Sequence, residues 1–331
     1  MKLFYKPPRD TNKLPLDRNE NLSKQIKRRL SAILNQSDLN FNLYPDNLLQ
    51  LNCHISNYHG VNPEEIVLTN GSEEALTLLF NHSLPIYKNV IKWEPTFGLV
   101  DVLLRRHNSQ IINYGFNLVN NMFVPQYKFD NLSSFQKYIF YISSPNSPTG
   151  SVFDKSMLTL LVKEFTNSLF ILDGAYVNYD ADYYISLYKR YNNVVLVRTF
   201  SKSWGMAGLR AGYYITKNTE LQDIRPNYAP NVVASTLLNY TFANLHSTFS
   251  YVEETVSIKK TIQQFLMQLG INYIIGAGNF ILIDQTELDV EWLASKCLFK
   301  FLQINKKKYI KISIPDKLDI NLLLKSLKKL R

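Results

Sequence analysis

Arg198-Thr-Phe-Ser-Lys-Ser-Trp-Gly-Met-Ala-Gly-Leu-Arg-Ala-Gly-Tyr213 follows directly on the apolar run Val194–Val197. Such a run is predicted to be a strand buried on both faces, over Val194–Thr199. The polar, glycine-rich stretch therefore begins at a strand's carboxyl end, where open α/β sheets bind ligands. Lys202 sits between Ser201 and Ser203, with Arg210 eight residues on. A lysine that attacks a carbonyl needs a reachable amine that can lose its proton, and burial or a nearby positive charge promotes that loss. Arg210 offers a planar fork suited to a phosphate. By itself the stretch also fits a polar loop with ordinary surface charges.

Working outward, short apolar runs predict further strands at Ile66–Thr69, Asn89–Trp93, Tyr138–Ser143, Leu169–Asp173 and Gly212–Thr216. Between them the 3.6-residue pattern predicts helices at Ser72–His82, Thr96–His107, Lys155–Asn167 and Asp182–Arg190. This alternation implies an α/β fold with a mostly parallel sheet covered by helices. After about Asn231 the rhythm changes. A long helical stretch, Val233–Leu269, precedes strand Asn279–Ile283, helix Glu287–Phe299, strand Tyr309–Ile314 and a last amphipathic helix from Asp319. The expected division is an N-terminal arm over 1–35 that joins the small domain, a large domain over 36–232 and a smaller α+β domain over 233–331.

Three other predicted strand ends carry chemistry. In Leu169-Phe-Ile-Leu-Asp-Gly-Ala-Tyr176, Asp173 ends an apolar strand. A carboxylate there is costly without a cationic partner, and a pyridinium N–H would be one. It would keep such a ring an electron sink, and Tyr176 could donate to the ring's phenolic oxygen. A helix N-cap is the plainer reading of Asp173. In Thr69-Asn-Gly-Ser-Glu-Glu-Ala-Leu76 a strand gives way through Gly71 and Ser72 to a helix whose free N–H groups suit a phosphate. There Ser72 is also a candidate cap, and Glu73 would face the anion with its backbone. Ser143-Ser-Pro-Asn-Ser-Pro-Thr-Gly150 is a rigid, hydrogen-bonding turn expected at a sheet edge. Each segment alone is ambiguous, but together they suit one aromatic, phosphorylated aldehyde.

Composition narrows the alternatives. The 331 residues are 46% hydrophobic, ample for a large core. No run of about 18 apolar residues suggests a membrane span, and Met1–Asp10 has no apolar core of a secretory signal. Cys53 and Cys297 form no Cys-x-x-Cys pair, so neither a disulfide framework nor a zinc site is expected, and the cytoplasm fits. His54 and His59 lie near Cys53, but no second ligand cluster accompanies them, and no metal is expected. The net charge of +10 could point to nucleic acid. From Lys296 onward, however, ten Lys and one Arg face only Asp316 and Asp319, so nearly all the excess is one C-terminal region. A solvated lysine face explains it, and neither a nucleic-acid nor a membrane partner is expected.

The assembled set resembles the fold-type I enzymes that use pyridoxal 5′-phosphate (PLP), most closely the histidinol-phosphate aminotransferase group. The resemblance covers nearly the whole chain. Arg198–Tyr213 is its most specific part. Leu16-Asp-Arg-Asn-Glu-Asn21 is similar to the group's Asn-Glu-Asn entry motif, with Leu22 in place of its proline. Tyr44-Pro-Asp46, Trp93-Glu-Pro-Thr-Phe97 and Ser144-Pro-Asn-Ser-Pro-Thr-Gly150 match further motifs.

The resemblance implies roles. Lys202 holds PLP as a Schiff base and shuttles a proton between the substrate α-carbon and C4′. Asp173 pairs with the ring nitrogen, Tyr176 with the ring oxygen, and Phe97 stacks on the ring. Gly71, Ser72, Glu73, Ser201 and Arg210 hold the phosphate, and Tyr44 reaches it from the other subunit of a homodimer. Asn19, Glu20, Asn21 and a residue of the arm such as Tyr5 lie near the substrate.

Three positions depart from the pattern. Gly174 replaces a glutamate, Ser147 replaces the asparagine that touches the ring oxygen (Asn146 is the neighbouring alternative), and Lys311 replaces a substrate-gripping arginine. A lysine is a point charge without the arginine's fork, which favours a phosphorylated or otherwise non-standard amine over an ordinary amino acid. The expected function is an aminotransferase acting on a small-molecule amino donor and acceptor. The alternative is a decarboxylase resembling threonine-phosphate decarboxylase, because PLP stabilises the same carbanion in both. A non-catalytic basic binding protein is the third class, and the presence of Lys202, Asp173, Tyr176 and Arg210 together argues against it.

Overall fold

The computed structural model describes residues 8–129, 131–179, 183–286 and 288–330. Its main sheet has seven strands in the order Ile66–Thr69, Gly212–Ile215, Val194–Thr199, Leu169–Asp173, Tyr138–Ser143, Asn89–Trp93, Gln110–Tyr114. Gly212–Ile215 is antiparallel to both neighbours and the remaining pairs are parallel, so the sheet is mostly parallel. The six predicted strands are all present; Gln110–Tyr114 was not foreseen, because Gln110 and Asn113 interrupt its apolar pattern and the strand lies at the sheet edge.

The continuous apolar runs reflect cover on both faces. On one face Leu76, Leu79 and Phe80 of helix Ser72–Tyr87 and Val100 and Leu104 of helix Gly98–Arg106 pack on Ile139, Tyr141, Ile171 and Val195. On the other, helices Leu48–His59, Lys155–Glu164, Tyr184–Arg190 and Val232–Ala243 cover Phe140, Phe170, Leu172 and Leu196. The stacked rings of Phe140 and Phe170, centroids 4.5 Å apart, mark the centre of this layer. Fully burying one such side chain contributes about 1.5–3 kcal/mol.

Several helix bounds differ from expectation for local reasons. Helix Ser72–Tyr87 runs a turn beyond His82 and through Pro85, because Ser83 and Leu84 are buried. The helix expected from Thr96 starts at Gly98, since Phe97 is extended with φ −70° and ψ 115°. The helix expected to reach Asn167 ends at Glu164. The long stretch 233–269 is two helices, Val232–Ala243 and Leu245–Gln268, split where Asn244 leaves helical geometry (φ −134°, ψ 47°). The helix expected to reach Phe299 spans Glu291–Lys296, because Cys297–Leu298 pairs instead with Leu14–Pro15.

A second, antiparallel sheet orders Tyr273–Ile274, Phe280–Asp284, Lys307–Ser313 and Lys300–Ile304. Ile310 and Ile312 pack with Ile262 and Leu266 of helix Leu245–Gln268 and with Leu323 and Leu327 of helix Ile320–Leu327. The alternation of a strand puts Tyr309, Lys311 and Ser313 on the opposite side. The N-terminal segment is bound to this sheet, with Ser313 N donating to Leu16 O at 2.8 Å. The two sheets meet where Ala277 N donates to Gly150 O at 2.8 Å, and Lys259 Nζ ties the same loop by donating to Gly276 O and Gly278 O. A Cβ on Gly276 would lie 2.9 Å from Gly150 Cα, so this contact requires bare backbone.

Gly212 is the corresponding constraint inside the main sheet. A Cβ there would lie 2.7 Å from Arg198 O and 2.8 Å from both Gly71 C and Ser72 N. Those atoms are backbone and cannot swing aside. Gly212→Ala is expected to lower stability by about 1–3 kcal/mol through overpacking, read as a lower melting temperature. An unchanged melting temperature would show that the Gly71–Ser72 turn yields freely.

Candidate active site

The carboxyl ends of the central strands enclose a cavity of about 150 Å³. Ser143, Asp173, Thr199, Ser201 and Lys202 line it from strand ends, Ser72 and Glu73 from a helix start, and Phe97, Ser147, Ala175, Tyr176 and Arg210 complete it. Sheet register causes this convergence: Ser143 pairs with Asp173 and Asp173 with Val197, while Val194–Thr199 runs two residues further, to Thr199 opposite Gly212, and carries Ser201 and Lys202 over the end of the Asp173 strand.

Asp173 is 3% exposed. Its Oδ1 accepts from Ala175 N at 3.0 Å and its Oδ2 from the Tyr141 hydroxyl at 2.8 Å. It caps no helix. Burial pushes its carboxyl above the ordinary range, opposed by those two hydrogen bonds and by the charges of Arg198 and Lys202. Tyr141 was not foreseen as a site residue. It lies two residues before Ser143 on the neighbouring strand, so it shares Asp173's face, and only the pairing register reveals this.

Lys202 Nζ donates to Arg18 O at 3.2 Å and lies 5.6 Å from the centre of the Tyr176 ring. The Tyr176 hydroxyl accepts from Asn19 Nδ2 at 2.8 Å, and the same amide lies 3.5 Å from Ser147 Oγ. Asn146 is spent elsewhere: its Nδ2 donates to Pro95 O and Thr149 Oγ1, and its Oδ1 accepts from Thr96 Oγ1. Ser147, not Asn146, therefore lines the cavity. The Ser144–Gly150 turn stands at the end of the central strand Tyr138–Ser143 rather than at a sheet edge.

At the other end Gly71 is the cap of helix Ser72–Tyr87, with φ +83° and no side-chain cap bond, so Ser72 is the first helical residue and not the cap. The Thr69 hydroxyl donates to Gly71 O and fixes the turn. Gly71 itself lets Arg210 lie across it, since a Cβ would sit 3.0 Å from Arg210 Nη2. Arg210 Nη2 donates to Glu73 Oε2 at 2.9 Å and its Nη1 lies 3.5 Å from Ser201 Oγ. Glu74 turns away to accept from Asn70 N at 2.6 Å. The acids of this first turn thus leave the helix N–H groups to the cavity.

The departure at Gly174 has a local cause. A Cβ there would fall 2.3 Å from Arg198 Nη1, so the buried Arg198 guanidinium occupies the space of a side chain. Lys311, 5% exposed, is not among the residues that line the cavity; its Nζ lies 5.2 Å from the Phe280 ring centre, on the side of its strand that carries Ser313. Phe280 in turn packs edge-on against Tyr176, at 5.7 Å. Glu20 pairs with Arg9 at 2.6 Å and Asn21 Nδ2 donates to Ser203 O at 3.1 Å. Tyr44 is not among the residues that line the cavity; it is 72% exposed and stacked on Tyr228 at 3.9 Å. Tyr5 lies outside the described residues. No metal-binding group of three or more His, Cys, Asp or Glu occurs among the described residues, and no helix there is long and apolar enough to cross a membrane.

The donor set suits PLP. A buried carboxylate awaits a cation at one end, an arginine and a helix start await an anion at the other, and an amine and the Phe97 ring lie between. Comparison with known proteins agrees. The model of the family "Aminotransferase class I and II" matches residues 10–314. Histidinol-phosphate aminotransferase 1 of Carboxydothermus hydrogenoformans is 27% identical over 336 aligned positions, covering 98% of this chain and 94% of that protein. Histidinol-phosphate aminotransferase 2 of Oceanobacillus iheyensis is 30% identical over 80% of this chain and 74% of its own. Among solved structures, the histidinol-phosphate aminotransferase of Sinorhizobium meliloti in complex with PLP superposes with TM-score 0.77 at 16% identity, covering 96% of this chain and 90% of that one. The L-threonine-O-3-phosphate decarboxylase of Porphyromonas gingivalis superposes with TM-score 0.74 at 17% identity, covering 95% and 98%. The chain belongs to the class I and II aminotransferase family and is a PLP-dependent aminotransferase with the fold-type I architecture.

Proposed function

We propose that this enzyme transfers an amino group to or from a small phosphorylated substrate, with PLP carried on Lys202. The observation behind this reading is the single cavity that joins Lys202, Asp173, Tyr176, Phe97, Ser72 and Arg210. Bound there, PLP supplies an electron sink for negative charge at the substrate α-carbon. The chain supplies the rest. Asp173 holds the ring nitrogen protonated, and this cation relieves the cost of its own burial. Phe97 stacks on the ring, while Tyr176 and Ser147 donate to its phenolic oxygen, with Asn146 bracing the turn behind them. The backbone of Gly71, Ser72 and Glu73, the Ser201 hydroxyl and the Arg210 fork hold the phosphate. Lys202 would move the proton between the substrate α-carbon and C4′.

Asn19, Glu20, Asn21 and Lys311 serve the substrate end. Lys311 offers a point charge without the fork that grips a carboxylate at two points, and the similar proteins are named for a phosphorylated amine. The working form is a homodimer, with Tyr44 reaching the partner's phosphate site. Supporting this, Phe41, Leu43, Tyr44, Leu49 and Tyr228 are 75%, 62%, 72%, 72% and 53% exposed, more apolar surface than a solvated face needs. The chain divides into an arm over 1–35, a PLP-binding unit over 36–232 and a small unit over 233–331, and works in the cytoplasm.

Two measurements test this reading. Purified protein with PLP should show a visible absorption band that Lys202→Ala abolishes, with activity lost by roughly 10²–10⁴-fold or more. Adding phosphorylated amines should discharge the band and release a carbonyl product. Release of carbon dioxide with the band intact would replace transamination by decarboxylation, and no band at all would sink the assignment of Lys202. Separately, Arg210→Ala should weaken PLP affinity by roughly 10-fold, the worth of a charge-assisted hydrogen bond, measured by fluorescence titration; unchanged affinity would remove Arg210 from the phosphate site.

A further inference from the structure

Asn19 is held in an unusual way. It adopts φ +54° and is 2% exposed. Its N–H donates to Ser313 Oγ at 2.8 Å, and its carbonyl accepts from Asn279 Nδ2 at 3.0 Å. Both backbone groups are therefore fixed to the small sheet and its entry loop. The side chain that this backbone aims inward ends on the two hydroxyls at one wall of the cavity, Tyr176 at 2.8 Å and Ser147 at 3.5 Å.

We propose that Asn19 is a positioning residue for the cofactor rather than only a neighbour of the substrate: its amide orients the Tyr176 and Ser147 hydroxyls toward PLP's ring oxygen. A phenol has one proton to give. With Asn19 Nδ2 donating to its oxygen, the Tyr176 proton points away from Asn19 and toward the cavity. Donation into the phenol oxygen also strengthens the phenol as a donor. Ser147, too short to project an amide of its own, receives weaker support from the same group. The inference rests on the proposed placement of the ring oxygen against Tyr176 and Ser147. The charged group that also faces the Tyr176 ring is Lys202, with its Nζ 5.6 Å from the ring centre.

The test is the pH midpoint of the visible band of the PLP-loaded enzyme. A weaker donor leaves more negative charge on the ring oxygen, so the protonated form persists to higher pH. Asn19→Gly suits the left-handed backbone and removes only the amide. It should raise the midpoint by roughly half to one pH unit, the worth of one hydrogen bond, and weaken PLP affinity several-fold. Asn19→Asp, of the same shape but unable to donate when ionised, should raise it at least as far, and serves where Asn19→Gly fails to fold. Because Ser147 Oγ lies 3.5 Å from the Asn19 amide, an amide grown from position 147 reaches the same place. Ser147→Asn in the Asn19→Gly background should therefore bring the midpoint back. A midpoint that stays put or falls in both Asn19 variants overturns the proposal, as does a rise that Ser147→Asn leaves uncorrected. Tyr176→Phe separates the two levels: if it too leaves the midpoint unchanged, the placement of the ring oxygen is wrong; if it alone raises the midpoint, only the role of Asn19 is.

Discussion

The structure turns on one buried carboxylate. Asp173 stands at the end of the middle strand of a seven-stranded sheet, 3% exposed, where a lone negative charge is costly. Two hydrogen bonds, from Tyr141 and Ala175 N, moderate that cost without cancelling it, since burial still pushes the carboxyl upward. A site built this way favours a ligand that brings a cation to it. The strand ends around Asp173 are then at the right level to supply everything else. Ser143 is its direct partner, and Lys202 follows the next strand by three residues.

The anion end works through backbone rather than through opposed charge. Gly71 and Gly212 pack so closely that no Cβ fits at Gly212, and this packing presents the start of helix Ser72–Tyr87 to the cavity. The Arg210–Glu73 pair at its edge is about half exposed on both sides, 46% and 57%, so water already weakens it. Under the proposed placement, a phosphate at Arg210 would displace a contact of little worth and would gain both the fork and the helix N–H groups. Glu73 thus holds Arg210 over the turn without locking it there.

Much of this was legible in the sequence, for a physical reason. Strands buried on both faces read as unbroken apolar runs, and ligands gather at their carboxyl ends, so Asp173, Lys202, Ser72 and Ser147 could be found by asking what ends each run. Features set by tertiary pairing were not legible. Gln110–Tyr114 became a strand because Asn89–Trp93 offered an edge, and Cys297–Leu298 left its helix because Leu14–Pro15 paired with it. Nothing local told Asn146 from Ser147; the choice is made by Pro95, Thr96 and Thr149, which consume the Asn146 amide. Gly174 looked like a missing side chain, and only the position of Arg198, which lies twenty-four residues on in sequence, explains it.

The small sheet matters to the chemistry through the same economy of contacts. Asn19 is bonded on one side to Ser313 and Asn279 and on the other to Tyr176. Lys311 shares a strand face with Ser313, and its amine lies against Phe280, which packs on Tyr176. A displacement of the small sheet by an ångström would stretch the 2.8 Å bond between Asn19 and Tyr176 beyond hydrogen-bonding distance. The bare-backbone contact of Gly150 with Gly276, and the Lys259 ties to Gly276 and Gly278, oppose such a displacement at the other side of the cleft. The position of the Lys311 amine and the Asn19–Tyr176 hydrogen bond are therefore not independent. Both are fixed by how firmly the second sheet is seated on the first, which makes packing far from Lys202 part of the site's electrostatics.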